Sequence, residues 1–433
     1  MKGNMSFFVR ENNVSKRNKK FTSIKRKTAD KDDEIDSETE ELNGINMSFK
    51  DYSDDENTET PDGKRLRLAK QYLEDIKKSD DEHDVSKKLK FEFLDSIGKL
   101  KKNVADDIIG YYSDKIITLK HKLQSQSVTS ICLNSDEKIL FAGCKNGKVL
   151  RWNIETKRQT GHISFDSHIM NITISSDNKF LAICDKSHKI FIYDPISLKK
   201  LHVFDGQHRG TVTGISFRKD SHQMFTCSED RTIKVFSLDE MVYVETLFGH
   251  QNPVMSIDAL YKERVLSAGG CDGTVRIWKI VEESQLVFNG GHKGSVDIVR
   301  FINEEHFLSC GDDGSLCVWN ASKKRPINEF KLAHGSINGT ANWITSIATL
   351  VNTDLIASGS YDGFIRIWKL NKNYREIILK FEIPVFGFIN SLQFTNNGNH
   401  IIAGVGQEHR LGRWWSLKQA KNKILIIPLQ KNK

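Results

Sequence analysis

From Lys115 to the end, the chain is written in short runs in which apolar and polar residues alternate, separated by clusters of Gly, Asn and Asp. Alternation with period two predicts half-buried β-strands, and the clusters predict the turns between them. One pattern recurs: a tight-turn dipeptide, an alternating strand and a terminal aromatic. Its copies are Asn146-Gly147 to Trp152, Ser187-His188 to Tyr193, Asp230-Arg231 to Phe236, Asp272-Gly273 to Trp278, Asp313-Gly314 to Trp319 and Asp362-Gly363 to Trp368. A seventh, degenerate copy is read as ending in Leu411-Gly412-Arg413-Trp414. Successive aromatic ends lie 41, 43, 42, 41, 49 and 46 residues apart. Asp-Gly suits a two-residue hairpin because Gly tolerates positive φ. Alternation then sends one set of side chains toward each neighbouring repeat.

Upstream the texture differs. Thr60 can cap a helix whose first position is Pro61. Leu66, Ala69, Leu73 and Ile76 then recur at helical spacing among Lys64, Arg65, Arg67 and Lys70, which predicts a basic amphipathic helix. A second helix is predicted over Val85–Lys101, with Leu89, Phe93, Ile97 and Leu100 on one face. Both helices either dock on the repeats or hold a partner. Residues 1–59 are too poor in large apolar side chains to offset chain entropy and are expected to be disordered.

Charge sharpens this division. Residues 1–31 carry ten Lys/Arg against two acids, and 32–59 carry one against twelve. Bases and acids balance over 1–105, so the net charge of +8 resides on 106–433. Such an excess suits an anionic partner, although ordinary soluble surfaces also carry it. Lys16-Arg17, Lys19-Lys20 and Lys25-Arg26-Lys27 form the pattern of a two-part nuclear localisation signal. The seven cysteines include no C-x-x-C pair and are read as small core residues, with neither a metal site nor disulfides. No apolar run is long enough to span a membrane, and no secretory leader is expected. No phosphate-binding loop, H-E-x-x-H or nucleophile elbow occurs, so no cofactor, metal or catalytic role is expected.

A period of 40–45 residues with these turns and aromatic ends resembles the WD40 repeat. The resemblance implies an all-β fold: a seven-bladed WD40 β-propeller, preceded by a disordered charged N-terminal tail and short amphipathic helices. The implied divisions are 1–59 (tail), 60–105 (helical segment) and 106–433 (propeller). A terminal strand should complete the last blade. Lys115–Lys120 and Ile424–Leu429 are both candidates, and the first is favoured because Lys120-His121 then falls where Gly249-His250 and Gly291-His292 open other blades. In the family such a His joins a hydrogen-bonded set with Ser or Thr, Asp and Trp. The fullest matches are His292, Ser309, Asp313, Trp319 and His334, Ser358, Asp362, Trp368; a third set, His208, Thr226 and Asp230, ends in Phe236. Repetition of one trio marks scaffolding, not a hydrolase. The insertion His334–Asn342 is expected to be an exposed, deletable loop.

Two further segments narrow the partner. Glu59 to Lys70 and Gly406-Gln407-Glu408-His409-Arg410-Leu411-Gly412-Arg413-Trp414-Trp415 resemble hallmarks of the WD40 subunit family of the U3 small nucleolar ribonucleoprotein. That resemblance implies a nucleolar, non-enzymatic scaffold, monomeric within a large particle. Its implied partners are the box B/C region of U3 RNA, a kink-turn-binding protein and other small-subunit processome proteins, in maturation of 18S ribosomal RNA. Gly63 departs from the family, where a charged residue is expected. The candidate contacts are Lys64, Arg65, Arg67, Lys70, Arg410, Arg413 and Trp415, with Trp414 assigned to a blade core and Lys323-Lys324-Arg325 as a further basic turn. The rival reading is a WD40 adaptor for protein peptides in a ubiquitin ligase or on chromatin; a third is a purely structural subunit. A propeller alone does not choose among these.

Overall fold

The computed structural model describes residues 63–68, 70–71, 89–94 and 100–432, residue 338 excepted. The charged tail and the Thr60-Pro61 helix start lie outside these residues. The chain forms two units, Met1–Asp75 and Ile76–Lys433. In the first, residues 63–68 and 70–71 are helical, and Lys64, Arg65, Arg67 and Lys70 are exposed. In the second, helix is described only over 89–94. The expected extension through Leu100–Lys101 does not occur, and Phe93 faces solvent. Leu100 is instead buried in extended chain, and the backbone of Lys102 bonds Asn352 and Asp354.

Seven antiparallel sheets follow around a central channel. Blade 1 consists of Val128–Leu133, Ile139–Cys144, Lys148–Asn153 and Arg158–Ser164, innermost strand first. Blades 2 to 6 repeat the order, with inner strands Ile169–Ile174, Val212–Phe217, Ser256–Ala259, Val296–Phe301 and Ser346–Thr349. Every blade is apolar on both faces and buries them against its neighbours. Between blades 5 and 6, for example, Ile298, Leu308 and Cys310 meet Ile347, Ile356 and Trp368.

The seventh blade is built from both ends of the chain. Phe388–Phe394, His400–Gly406 and Lys423–Lys431 supply its first three strands, and the N-terminal segment supplies the outermost. Ile117–Leu119 pairs with Ile424–Ile426, and Ile108–Tyr111 pairs with Leu429–Lys431, across a short turn at Ser113–Lys115. The favoured N-terminal closure is therefore the one adopted, and Ile424–Leu429 is the third strand. Leu411-Gly412-Arg413-Trp414 is accordingly not a strand end, correcting the seventh repeat. Ile427 pairs with Ile401 at the register where Trp319 pairs with Phe307, so an Ile fills the core position that Trp holds elsewhere.

The tight turns carry the strain the sequence assigned to them. Gly147 sits at φ +77°, where an added Cβ would lie 2.2 Å from the Phe165 carbonyl oxygen. His188 and Arg231 accept the same left-handed geometry without a glycine. Six cysteines are buried, but Cys271 in a blade-4 turn is exposed and departs from the core reading.

The repeated polar sets are complete in three blades. His292 lies 2.7 Å by Nε2 from Ser309 Oγ and 3.2 Å by Nδ1 from Asp313, while the Trp319 indole donates to Ser309 at 2.7 Å. His334, Ser358, Asp362 and Trp368 repeat this at 2.8, 3.0 and 2.8 Å. His250, Ser267, Asp272 and Trp278 form a third set, at 2.8, 2.9 and 2.8 Å, which the sequence reading left unassembled although the spacing is the same. His208 bonds Thr226 and Asp230, and Phe236 ends that set without a donor. Burial lowers the pKa of His250 and His334 more than their aspartates raise it, so both rings are neutral. Each serine is fully buried and already accepts an indole N–H, so the His-Ser-Asp geometry has no room for a substrate.

Blade 1 lacks the set. Ala142 stands at the serine register and leaves the buried Trp152 indole N–H without a partner. Ala142→Ser should supply the acceptor and raise unfolding free energy by about 0.5–1.5 kcal/mol, while Asp313→Ala should lower it by about 1–3 kcal/mol. Denaturant midpoints at constant slope measure both; an Ala142→Ser protein no more stable than wild type contradicts the first.

His222 bridges blades 2 and 3, with Nε2 2.7 Å from Asp177 and Nδ1 bonded to Asp239. Two carboxylates can be satisfied only if both nitrogens carry protons, which makes this ring an imidazolium. Partial burial opposes the charge, but the carboxylates outweigh it and raise the pKa above the ordinary histidine value. A raised folded-state pKa means stability present below about pH 6.5 and lost as pH rises through the folded value. The thermal midpoint difference between wild type and His222→Gln should therefore shrink from pH 6 to pH 9. A pH-independent difference would show the ring to be neutral.

Candidate nucleic-acid interface

In every blade the second-to-third strand turns and the links to the next blade share one face of the ring, called the upper face here. The two departures from the repeat both fall on it. One is the 331–345 link between blades 5 and 6. The other is the 407–422 segment, which joins the second and third strands of blade 7.

The first is a small hairpin, Ser336–Ile337 against Thr340–Ala341, on buried supports. His334 belongs to the blade-6 polar set, and Asn342 bonds the His334 carbonyl and receives the Tyr361 hydroxyl at 2.7 Å. The deletable loop is thus narrower than the expected His334–Asn342, whose two ends are buried.

The second crosses the channel mouth and is pinned at several points. Asn390 bonds the Glu408 carbonyl at 3.0 Å and the Arg410 N–H at 3.1 Å. Leu411 packs on the core shared by blades 2 and 3. Lys145 of blade 1, only 2 % exposed, donates to the Glu408 carboxylate at 3.0 Å and to the His409 and Gly412 carbonyls at 3.3 and 2.9 Å. Arg413 adds a bond to Glu408 at 3.3 Å. A buried ammonium needs this full complement, since burial is costly for an unpaired charge.

Arg410, expected at the partner surface, instead lines the channel with Ser130, Asn171, Ser256, Ile298 and Arg300. Burial lowers its pKa, against the attraction of Asp297, which receives the Trp343 indole N–H. Arg413 is exposed, as expected of a contact residue. Trp414 is 64 % exposed rather than in a blade core, and Trp415 is 38 % exposed with its ring 3.8 Å from that of Tyr361. The expected order of exposure for the pair is reversed because neither residue belongs to a strand, so alternation does not apply to them.

Trp343, from the blade 5–6 link, joins the two departures. It packs 4.1 Å from His409 and lies nearly parallel to Trp414, at 13° and 6.3 Å between centroids. Burial, with Arg410 and Lys145 nearby, pushes the His409 pKa down to about 3, so this ring is neutral. Sequence reading passed over Trp343, Lys145 and Lys423; Trp343 was visible only as an aromatic at the end of an over-long link. Around the segment Lys120, Lys122, Lys418 and Lys421 are exposed. Burial lowers the pKa of Lys423, and Lys120 and Lys421 lower it further, which marks a local excess of positive charge. Lys323, Lys324 and Arg325 lie in a turn between the third and fourth strands of blade 5, on the opposite face, and do not join this cluster.

Replacing Lys145 by Met should release the segment while sparing the ring. Hydrogen exchange at residues 407–420 should then accelerate, with the inner strands unchanged; equal protection in both proteins would show that the ammonium is not the pin.

The WD domain, G-beta repeat family matches residues 114–153, 155–194, 198–237, 241–279, 283–320 and 332–369, which leaves the blade-7 departure outside the six matched repeats. The chain is 41% identical to human U3 small nucleolar RNA-interacting protein 2 over 86% of its own length and 83% of that protein's. It is 25% identical to Ribosomal RNA-processing protein 9 of Saccharomyces cerevisiae, over 82% of the chain and 87% of that relative. A crystal structure of RRP9 WD40 repeats, 44% identical, superposes with a TM-score of 0.72 over 74% of this chain and 99% of the other.

Proposed function

The chain belongs to the WD40 repeat family and, within it, to the U3 small nucleolar RNA-interacting proteins, and from that membership we propose that it is a non-catalytic subunit of the U3 ribonucleoprotein acting in ribosomal RNA processing. Its place is the nucleolus. There it binds the box B/C region of U3 RNA beside a kink-turn-binding protein, in maturation of 18S ribosomal RNA with other processome proteins. The observation that carries this beyond family membership is the 407–422 segment: a pinned structure on one face of a rigid ring, presenting Arg413, Trp414, Lys418 and Lys421.

The mechanism is shape recognition. A propeller face cannot enter the deep, narrow major groove of A-form RNA, so it meets phosphates, sugars and exposed bases, together with the protein that has already folded the RNA. Arg413 and Trp415 belong to this contact, and Arg410 lines the channel. The exposed cations Lys64, Arg65, Arg67 and Lys70 of the first unit add phosphate contacts. Each such contact releases a condensed counterion, which makes affinity salt-dependent, and selectivity rests with the shaped surface.

RNA recovered with the chain from cells and sequenced should be enriched in U3. Recovery of protein partners without RNA favours the peptide-adaptor reading. On a preassembled complex of U3 RNA and kink-turn protein, changing Lys64, Arg65 and Arg67 together to Ala should flatten the log–log salt slope by roughly 0.7–0.9 per true phosphate contact. Ala favours helix, so helicity is retained. Equal slopes and affinities would remove the helix from the RNA contact.

A further inference from the structure

We propose that Trp414 is a stacking platform for one unpaired RNA base, with Arg413, Lys418 and Lys421 taking the flanking phosphates. The proposal rests on the reading above and specifies what this face of the ring recognises.

The core has no use for this indole. Blades 1, 4, 5 and 6 bury Trp152, Trp278, Trp319 and Trp368 on their third strands, but Ile427 fills that register in blade 7. Trp414 is instead 64 % exposed, in a segment that could have carried any polar residue. Contiguous apolar groups left in water mark interaction sites, and Trp414 adjoins the partly exposed Trp343.

The ring is also held in place. It folds back over Gly412, where an added Cβ would lie 1.6 Å from the Trp414 Cζ3 atom, so only glycine permits the arrangement. Beside it, parallel Trp343 is fixed by its indole N–H to Asp297 and by contact with His409. Gly412 is anchored through its carbonyl to Lys145. The indole lies against Gly412 and beside Trp343, and 64 % of the residue remains exposed to solvent. Little side-chain freedom remains to be lost on binding, which is the condition under which an exposed aromatic contributes most.

The surroundings choose the ligand. Arg413, Ser416, Lys418 and Gln419 of the same segment are exposed and polar. A nucleobase needs a flat aromatic surface and its neighbouring phosphates need cations, and an exposed indole among exposed cations of the same segment supplies both. Lys120, Lys122 and Lys423 extend the positive field along the blade 7–1 rim. Bases in a duplex are stacked on each other and unavailable, so the partner is a single-stranded loop or linker.

The test uses the full chain and a labelled single-stranded oligoribonucleotide, compared with an oligomer of equal length whose residues are abasic, and with a duplex. Trp414→Ala should weaken single-strand binding about tenfold, in the range for loss of one stacked base. Trp414→Phe, which keeps a flat ring, should recover most of it. Wild type and both variants should bind the abasic oligomer equally, because phosphate contacts are untouched, and unchanged thermal midpoints should accompany these results. If Trp414→Ala binds the single strand as well as wild type, or loses the abasic oligomer equally, the platform is overturned. Should such a variant keep RNA but fail to join the complex with the kink-turn protein, the indole is a protein contact. If wild type binds no RNA either alone or on the preassembled complex, it is the U3 reading itself that fails.

Discussion

A single blade of this protein cannot exist alone, because both faces of its four-stranded sheet are apolar and each must be covered by another blade. The whole ring therefore depends on the last covering step, in which blade 7 is made stable enough to close against blade 1. Leu119, Ile424, Ile426 and Ile402 meet Val128, Ile131, Leu140 and Trp152 there. By taking its outer strand from residues 108–119 and its inner three from 388–431, the chain makes that blade a clasp: opening the ring requires separating two chain ends that are paired strand to strand. The N-terminal strand also covers the edge of Lys423–Lys431, which would otherwise invite association with another chain.

Because the clasp is met by backbone pairing and aliphatic packing, blade 7 is free of the constraint that fixes the turns elsewhere. Its second and third strands need not be joined by a tight Asp-Gly turn, and sixteen residues, 407–422, stand in its place. Such a long connection would be mobile if only its ends were held. Lys145 changes this, since a buried ammonium with one carboxylate and two carbonyls holds the segment's first half at Glu408, His409 and Gly412. The ion pair adds order where no apolar core is available to supply it.

The fold was legible because its signal is periodic. Turn dipeptide, alternating strand and aromatic recur often enough that one irregular copy, such as Ser187 to Tyr193, does not obscure the rest. The same periodicity misled at its last step. Trp414 stands 46 residues after Trp368 and was read as the next strand end, although the strand lies beyond it at Lys423–Lys431. Spacing counts residues along the chain and is blind to whether an insertion precedes or follows the strand. The placement of Arg410 was illegible for a related reason: a basic residue beside an aromatic pair suggests a surface, and only tertiary geometry shows that its side chain turns into a channel. Lys145 was illegible because a lysine beside a tight turn is ordinarily solvated, and its partners lie more than 260 residues away.

The two departures from the repeat are separated by blade 6 and the first two strands of blade 7 in sequence, yet they act as one structure. Trp343 closes the blade 5–6 link, donates to Asp297 of blade 5 and packs against His409 and Trp414 of the blade-7 segment. Asn342, next to it, receives the Tyr361 hydroxyl, and the Tyr361 ring supports Trp415. The longer link, which stretches the aromatic spacing to 49 residues, is therefore not a neutral insertion tolerated on the rim, because it is what brings an indole across to the segment. A regular ring offers the same turns seven times and has little with which to single out one partner. Specificity on such a scaffold has to come from where the repeat is broken, and here both breaks meet on one face, in contact, above the channel.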